Sequence, residues 1–139
     1  MIPPLPVAVG IIINDRNEVL ITQDQGRQAL AACWGFPGGK IEPSELPYDA
    51  LCRELREELG MEVISATPWF ALPYEYPERA VLLDIWQVHT YLGEPTPLEG
   101  QLMHWCPLSA LNDYLFLPAN QEIVTKLRSE PPLFSCIGL

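Results

Sequence analysis

Glu54, Glu57 and Glu58 stand at i, i+3 and i+4 in the chain. On a helix that spacing puts three carboxylates on one face, where they repel one another by roughly a few tenths of a kcal/mol per pair. Two things could offset the repulsion: the guanidinium groups of Arg53 and Arg56, or a divalent cation. Ligands that are all oxygen suit Mg²⁺ or Mn²⁺, and Mg²⁺ typically combines a few carboxylates with the phosphates of a substrate. A bare ExxEE is more often only a solvated acidic face. Here, however, Trp34, Gly35, Phe36 and Pro37 run into Gly38, Gly39 and Lys40 just upstream. That is an aromatic approach, a glycine pair that lets backbone come close to a ligand, and then a cation.

These residues need a helix and a floor beneath it. Ser44 is the expected N-cap, with Glu45 and Asp49 near the positive helix start. Leu51, Leu55 and Leu59 recur every fourth residue and predict a stripe facing a core, and Gly60 ends the helix. Residues 7–13 form an apolar run of strand length, predicted to be buried on both faces. A turn at 14–17 and a strand at 18–22 should complete a hairpin with it. Residues 23–32 read as a loop. Two longer strands are predicted at 62–72 and 80–91, separated by a proline-punctuated turn at 73–79. A loop at 93–100 and a short strand at 102–106 follow. A short helix is expected at 108–115 with Ser109 as N-cap, and a second at 118–129 with Pro118 in its first turn. This mixture predicts an α+β or layered α/β domain.

Composition narrows the partners. The 139 residues make one domain, 1–139, with 48% apolar and 19% charged residues. A net charge of −10 argues against a nucleic acid polymer, because phosphate backbones want a basic face. It leaves room for a nucleotide whose charge is met by bound metal ions. Cys33, Cys52, Cys106 and Cys136 show no CxxC pair, so they read as reduced thiols, which suits a cytoplasmic protein. No signal peptide and no membrane span are visible. His89 and His104 fall in strand patterns and read as packing or surface residues.

Gly39, Glu45, Arg53, Glu54, Leu55, Glu57, Glu58, Gly60 and Met61 match all constrained positions of the Nudix box, G-x5-E-x7-R-E-U-x-E-E-x-G-U, where U is apolar. Chance would produce that match in a chain of this length about once in ten million. The chain therefore resembles the Nudix hydrolases over its box, 39–61. Further segments are similar to the MutT group: Ala8–Ile12, Phe36–Glu42, Tyr74–Arg79, Glu99–Gln101 and Leu117–Asn120. The resemblance covers nearly all of 7–128 and implies a mixed β-sheet sandwiched between helices. It implies hydrolysis of oxidised purine nucleoside triphosphates, notably 8-oxo-dGTP, to the monophosphate and pyrophosphate, which cleans the nucleotide pool and prevents mutation.

The resemblance also implies roles for individual residues. Glu54, Glu57 and Glu58 would hold Mg²⁺, or Mn²⁺ in its place, with the Gly38 carbonyl as a further ligand. Glu99 would be a ligand or the general base, and Arg53 would orient the glutamates. Lys40 would lie near the phosphates, and Glu45 would support the helix. Asn120 would read the purine edge, since an amide can donate and accept at once, and Phe36 would be a further substrate-binding residue. Tyr76 and Arg79 would flank base and sugar-phosphate. A monomer is expected, with a dimer as the alternative. Where MutT-type enzymes usually carry an arginine after the second strand, this chain has Gln23-Asp24. An acid in place of a cation leaves CTP, a modified dCTP or a broad range of triphosphates open as substrates. A nucleotide-binding module without catalysis is the remaining alternative, and such modules usually lack a box glutamate.

Overall fold

The computed structural model describes residues 2–23 and 32–131 and the backbone of 137–138. The acidic helix, α1, spans Pro47–Leu59. Ala50, Leu51, Leu55 and Leu59 are its buried face, as the four-residue stripe predicts. Gly60 stops it in a left-handed conformation (φ 69°), with its N–H on the Arg56 carbonyl. The start differs from expectation. Ser44 lies in the turn before the helix, and the N-cap is Leu46, with no side-chain cap bond. Pro47, whose ring presets the helical φ and whose missing N–H needs no cap, takes the first turn.

The helix lies over a mixed five-stranded sheet. Its strands are β1 (Leu5–Ile11), β4 (Gly38–Lys40), β5 (Glu62–Glu75), β6 (Ala80–Leu92) and β8 (Ile137–Gly138). The order is β4-β1-β6-β5, and β8 also pairs with β6. β1 runs parallel to β6 and antiparallel to β4. A second, antiparallel sheet holds β2 (Glu18–Gln23), β3 (Trp34–Gly35) and β7 (Leu102–Pro107) in the order β3-β2-β7. Successive residues of the first strand feed two cores. Ala8 and Ile12 join α1, while Val9, Ile11 and Ile13 join Ile123, Val124 and Leu127 of α2 (Gln121–Ser129). The result is the expected layered α/β/α arrangement.

Several expectations are corrected. The hairpin of the first two strands exists only at its closed end, through an Ile13–Val19 bridge and the Leu20 N–H on the Ile12 carbonyl. Beyond that the strands part into different sheets, because β4 and β6 take both edges of β1. β5 runs through Pro68 and Pro73 to Glu75, further than predicted. Among the described residues it is an edge strand with bulges, and there a residue without an N–H is tolerated. The turn shrinks to 76–79, closed by the Tyr76 N–H on the Arg79 carbonyl. The helix at 108–115 is a 3₁₀ helix, Leu108–Asp113, preceded by Pro107 rather than capped by Ser109. The last helix begins as a 3₁₀ turn, Pro118–Asn120, before α2 proper. Most of the loop expected at 23–32, including Asp24, and Cys136 lie outside the described residues, while Cys33, Cys52 and Cys106 are free thiols.

Candidate active site

Arg53 is the hub of the acidic face. Its Nε donates to Glu45 (2.7 Å) and its Nη2 to Glu45 (2.9 Å) and to the Lys40 carbonyl (3.0 Å). Its Nη1 donates to Glu54 (3.0 Å) and Glu57 (3.2 Å). A planar guanidinium with five N–H groups can serve this fork, and an ammonium cannot. The bonds to Arg53, helped by the Glu42 N–H, hold the Glu45 carboxyl down at about 2. Glu45 thus does more than support the helix: it fixes Arg53, which fixes Glu54 and Glu57.

Glu58 is different. Its carboxylate accepts the Gly38 N–H at 3.3 Å. Burial first, and then the neighbouring Glu54, push its pKa up to about 9, with Glu99 adding to the push. Glu99 is exposed on the loop between β6 and β7, and Gly39 packs against the Glu54 carboxyl with no room for a Cβ. β4 therefore lies flush against the acidic face.

Could this set hold a dication? Among the described residues no three His, Cys, Asp or Glu side chains already converge on one point, and Glu54 and Glu57 are drawn to Arg53. The donor chemistry nevertheless fits. Every side-chain donor is a carboxylate oxygen, as a hard cation prefers. Glu58 is a half-buried carboxyl pushed towards its neutral form by desolvation and by its acidic neighbours, and a cation would stabilise its charged form.

A second group of predicted residues gathers on the other core. Phe36 is buried and stacks on Phe116, with centroids 5.4 Å apart and planes at 16°. Asn120 is only 7% exposed, and its side chain makes no cap bond to α2. A buried amide free of that duty is available to a ligand. Gly35 leaves 3.8 Å between a would-be Cβ and Asn120 Nδ2. Tyr76 is half-buried, and its hydroxyl accepts the Ala119 N–H at 3.1 Å. That bond pins the β5–β6 turn to the turn that carries Asn120. Phe36 and Gly38, two residues apart, link this group to the acidic face.

Two predicted residues stand apart. Lys40 is exposed, and it meets the acidic helix through its carbonyl. Arg79 donates to the Pro3 carbonyl at 3.0 and 3.3 Å, beside a cleft of about 350 Å³ lined by Ile2, Tyr76 and Glu78 among others. Gln23 donates to the Ala32 carbonyl at 2.8 Å. His89 shares a hydrogen bond with Thr67, and His104 packs with Trp34 and Tyr114.

One residue lies in a segment similar to the MutT group, Glu99–Gln101, but no role of its own is legible in the sequence. The Gln101 side chain donates to the Glu58 carbonyl (3.0 Å) and accepts the Glu99 N–H (2.8 Å). A loop glutamine has no periodicity or spacing by which such a role could be found.

Comparison with known proteins places this geometry. The chain is 42% identical over 124 residues to the 8-oxo-dGTP diphosphatase of Escherichia coli, covering 89% of this chain and 96% of that one. It is 34% identical over 112 residues to the CTP pyrophosphohydrolase of the same organism, covering 81% and 83%. A solved MutT structure, from a study of the Aliivibrio salmonicida and Vibrio cholerae proteins, superposes with a TM-score of 0.77 at 31% identity. It covers 91% of this chain and 97% of that one. Enzymes of this kind generally need a divalent metal. With the NUDIX domain matching residues 4–127, this chain belongs to the Nudix hydrolase family.

Proposed function

We propose that the protein is a Mg²⁺-dependent nucleoside triphosphate pyrophosphohydrolase that splits 8-oxo-dGTP and related oxidised purine nucleotides into monophosphate and pyrophosphate. The reading rests on one observation above all: a half-buried glutamate pair on α1, Glu54 and Glu58, flanked by Arg53 and by backbone that comes flush against it. In this reading all 139 residues serve one Nudix domain, a monomer acting on free nucleotides in the cytoplasm. No helix among the described residues is long and apolar enough to cross a membrane.

Glu54, Glu57, Glu58 and Glu99, with the Gly38 carbonyl, would hold Mg²⁺, and Mn²⁺ could substitute. The cation supplies charge neutralisation of the triphosphate and a lower pKa for the attacking water. The protein's own groups do the rest. Arg53 keeps Glu54 and Glu57 aimed at the site, and Glu99 can take the proton of the water, a step worth roughly 10²–10⁴-fold. Lys40, exposed at the end of β4, would meet the phosphates with its ammonium. Asn120 would donate and accept along the purine edge beside the buried Phe36, and Tyr76 would flank base and sugar-phosphate, while Arg79, held on the Pro3 carbonyl, would need to turn to join it. Water attacks the β-phosphorus, the bridging oxygen leaves with the α-phosphate, and the products are monophosphate and pyrophosphate.

A second reading, hydrolysis of CTP or a modified dCTP, draws support from the 34% identical CTP pyrophosphohydrolase. One experiment separates the two. Pyrophosphate release with Mg²⁺ is measured for 8-oxo-dGTP, dGTP, CTP, a modified dCTP and dATP in water labelled with heavy oxygen. The proposal expects 8-oxo-dGTP to lead in kcat/KM by about tenfold or more, with label in the pyrophosphate. A pyrimidine in the lead overturns the base assignment, and label in the monophosphate overturns attack at the β-phosphorus. Glu57→Gln should lose turnover on the order of a hundredfold or more. A wild-type protein that binds nucleotide without turnover would mark a binding module instead.

A further inference from the structure

We infer that Gln101 is a positioning residue that fixes Glu99 relative to the acidic face of α1; the inference rests on the proposed role of Glu99 as ligand or base. The last carbonyls of a helix have no partner within it. At α1 the loop between β6 and β7 supplies partners. The Thr96 N–H bonds the Leu59 carbonyl at 3.0 Å, and the Leu98 N–H bonds the Glu58 carbonyl at 2.9 Å. The loop that carries Glu99 is thus built onto the end of the helix that carries the other three glutamates.

Those two backbone bonds stop one residue short of Glu99. The next residue, Gly100, has φ 74° and open space around it, so nothing on its own account holds Glu99 in place. The Gln101 side chain closes the gap from both ends. Its Nε2 donates to the Glu58 carbonyl and its Oε1 accepts the Glu99 N–H. One amide therefore ties the backbone of one acidic residue to the backbone of another. Only a side chain with both a donor and an acceptor, at this length, can do so. Outer partners that aim an acidic group typically change activity by about 10–100-fold when lost.

The test is a cycle of Gln101→Met, Glu99→Gln and the double variant in the full chain. kcat and KM are measured on one triphosphate, and amide exchange is followed in the metal-free protein. Gln101→Met keeps the volume and removes both bonds. It should lower kcat about 10–100-fold with KM within about twofold. Amide exchange should speed up across residues 96–101 and not within α1. The double variant should be no slower than Glu99→Gln alone. If Gln101→Met keeps the wild-type kcat, if its loss multiplies with that of Glu99→Gln, or if loop exchange is unchanged, the inference is overturned. If Glu99→Gln itself keeps full turnover, the role of Glu99 falls, and that of Gln101 with it. Gln101→Ala is held to the same outcomes as a second variant.

Discussion

An added Cβ at Gly39 would fall on the Glu54 carboxyl, whereas one at Gly38 would fall on the Ala8 carbonyl of β1. The first neighbour is the end of a flexible side chain and can move away. The second is backbone of a paired strand and cannot. Gly38 also sits at φ 151°, where any side chain is strained. Gly39→Ala should therefore fold with nearly unchanged Tm while turning Glu54 aside, and kcat should fall by about tenfold or more. Gly38→Ala should lose stability by about 2 kcal/mol or more, seen as an earlier denaturant midpoint. Equal melting of the two variants would contradict this division. The sequence marks both glycines as places of close approach, but only the register of β4 against β1 and α1 says what each one approaches.

The β5–β6 turn and the turn before α2 are joined by a hydrogen bond from the Ala119 N–H to the Tyr76 hydroxyl. Tyr76→Phe leaves that N–H unpaired in a half-buried place, at a cost of about 1–2 kcal/mol. It also frees the turn that holds Asn120. The expected result is a severalfold higher KM for the preferred triphosphate with kcat nearly unchanged. A lower kcat at constant KM would show instead that Tyr76 acts on the chemistry. Most elements were legible: the Leu51–Leu55–Leu59 stripe gives α1 and the run at 7–13 gives a strand buried on both faces. Pairing was not legible. Nothing local in the first strand says that its neighbours are Gly38–Lys40 and Ala80–Leu92 rather than the strand just after its turn. The helix starts shifted for a related reason, because Pro47 and Pro107 outweigh Ser44 and Ser109. The acidic face was legible because helical spacing is local. Its link to the Glu99 loop was not, because it runs through long-range backbone bonds from Thr96 and Leu98 and through the Gln101 side chain.

Taken whole, the molecule carries a net charge of −10, and at the acidic face Glu54 and Glu99 lie close enough to Glu58 to oppose its ionisation. Between the ordinary carboxyl value and about 9, the folded chain keeps a proton on Glu58 that the unfolded chain has released. Stability of the metal-free protein should therefore fall as pH rises through that interval. Mg²⁺ favours the charged carboxylate, so it should raise Tm more at about pH 8.5 than at about pH 6, and Glu58→Gln should flatten the metal-free slope. A Mg²⁺ effect on Tm that is the same at both pH values would remove Glu58 from this account. The parallel pairing of β1 with β6 has a consequence of another kind. Leu5 pairs with Val81, and 81 − 5 = 76 positions separate them. At about 5–20 residues per second, a ribosome needs roughly 4–15 s to deliver the second after the first. Until then the first strand lacks one of its two neighbours, and α1 lacks most of its floor. Glu99 and Gln101 leave the ribosome later still, so a nascent chain released early lacks the loop that closes over the end of α1.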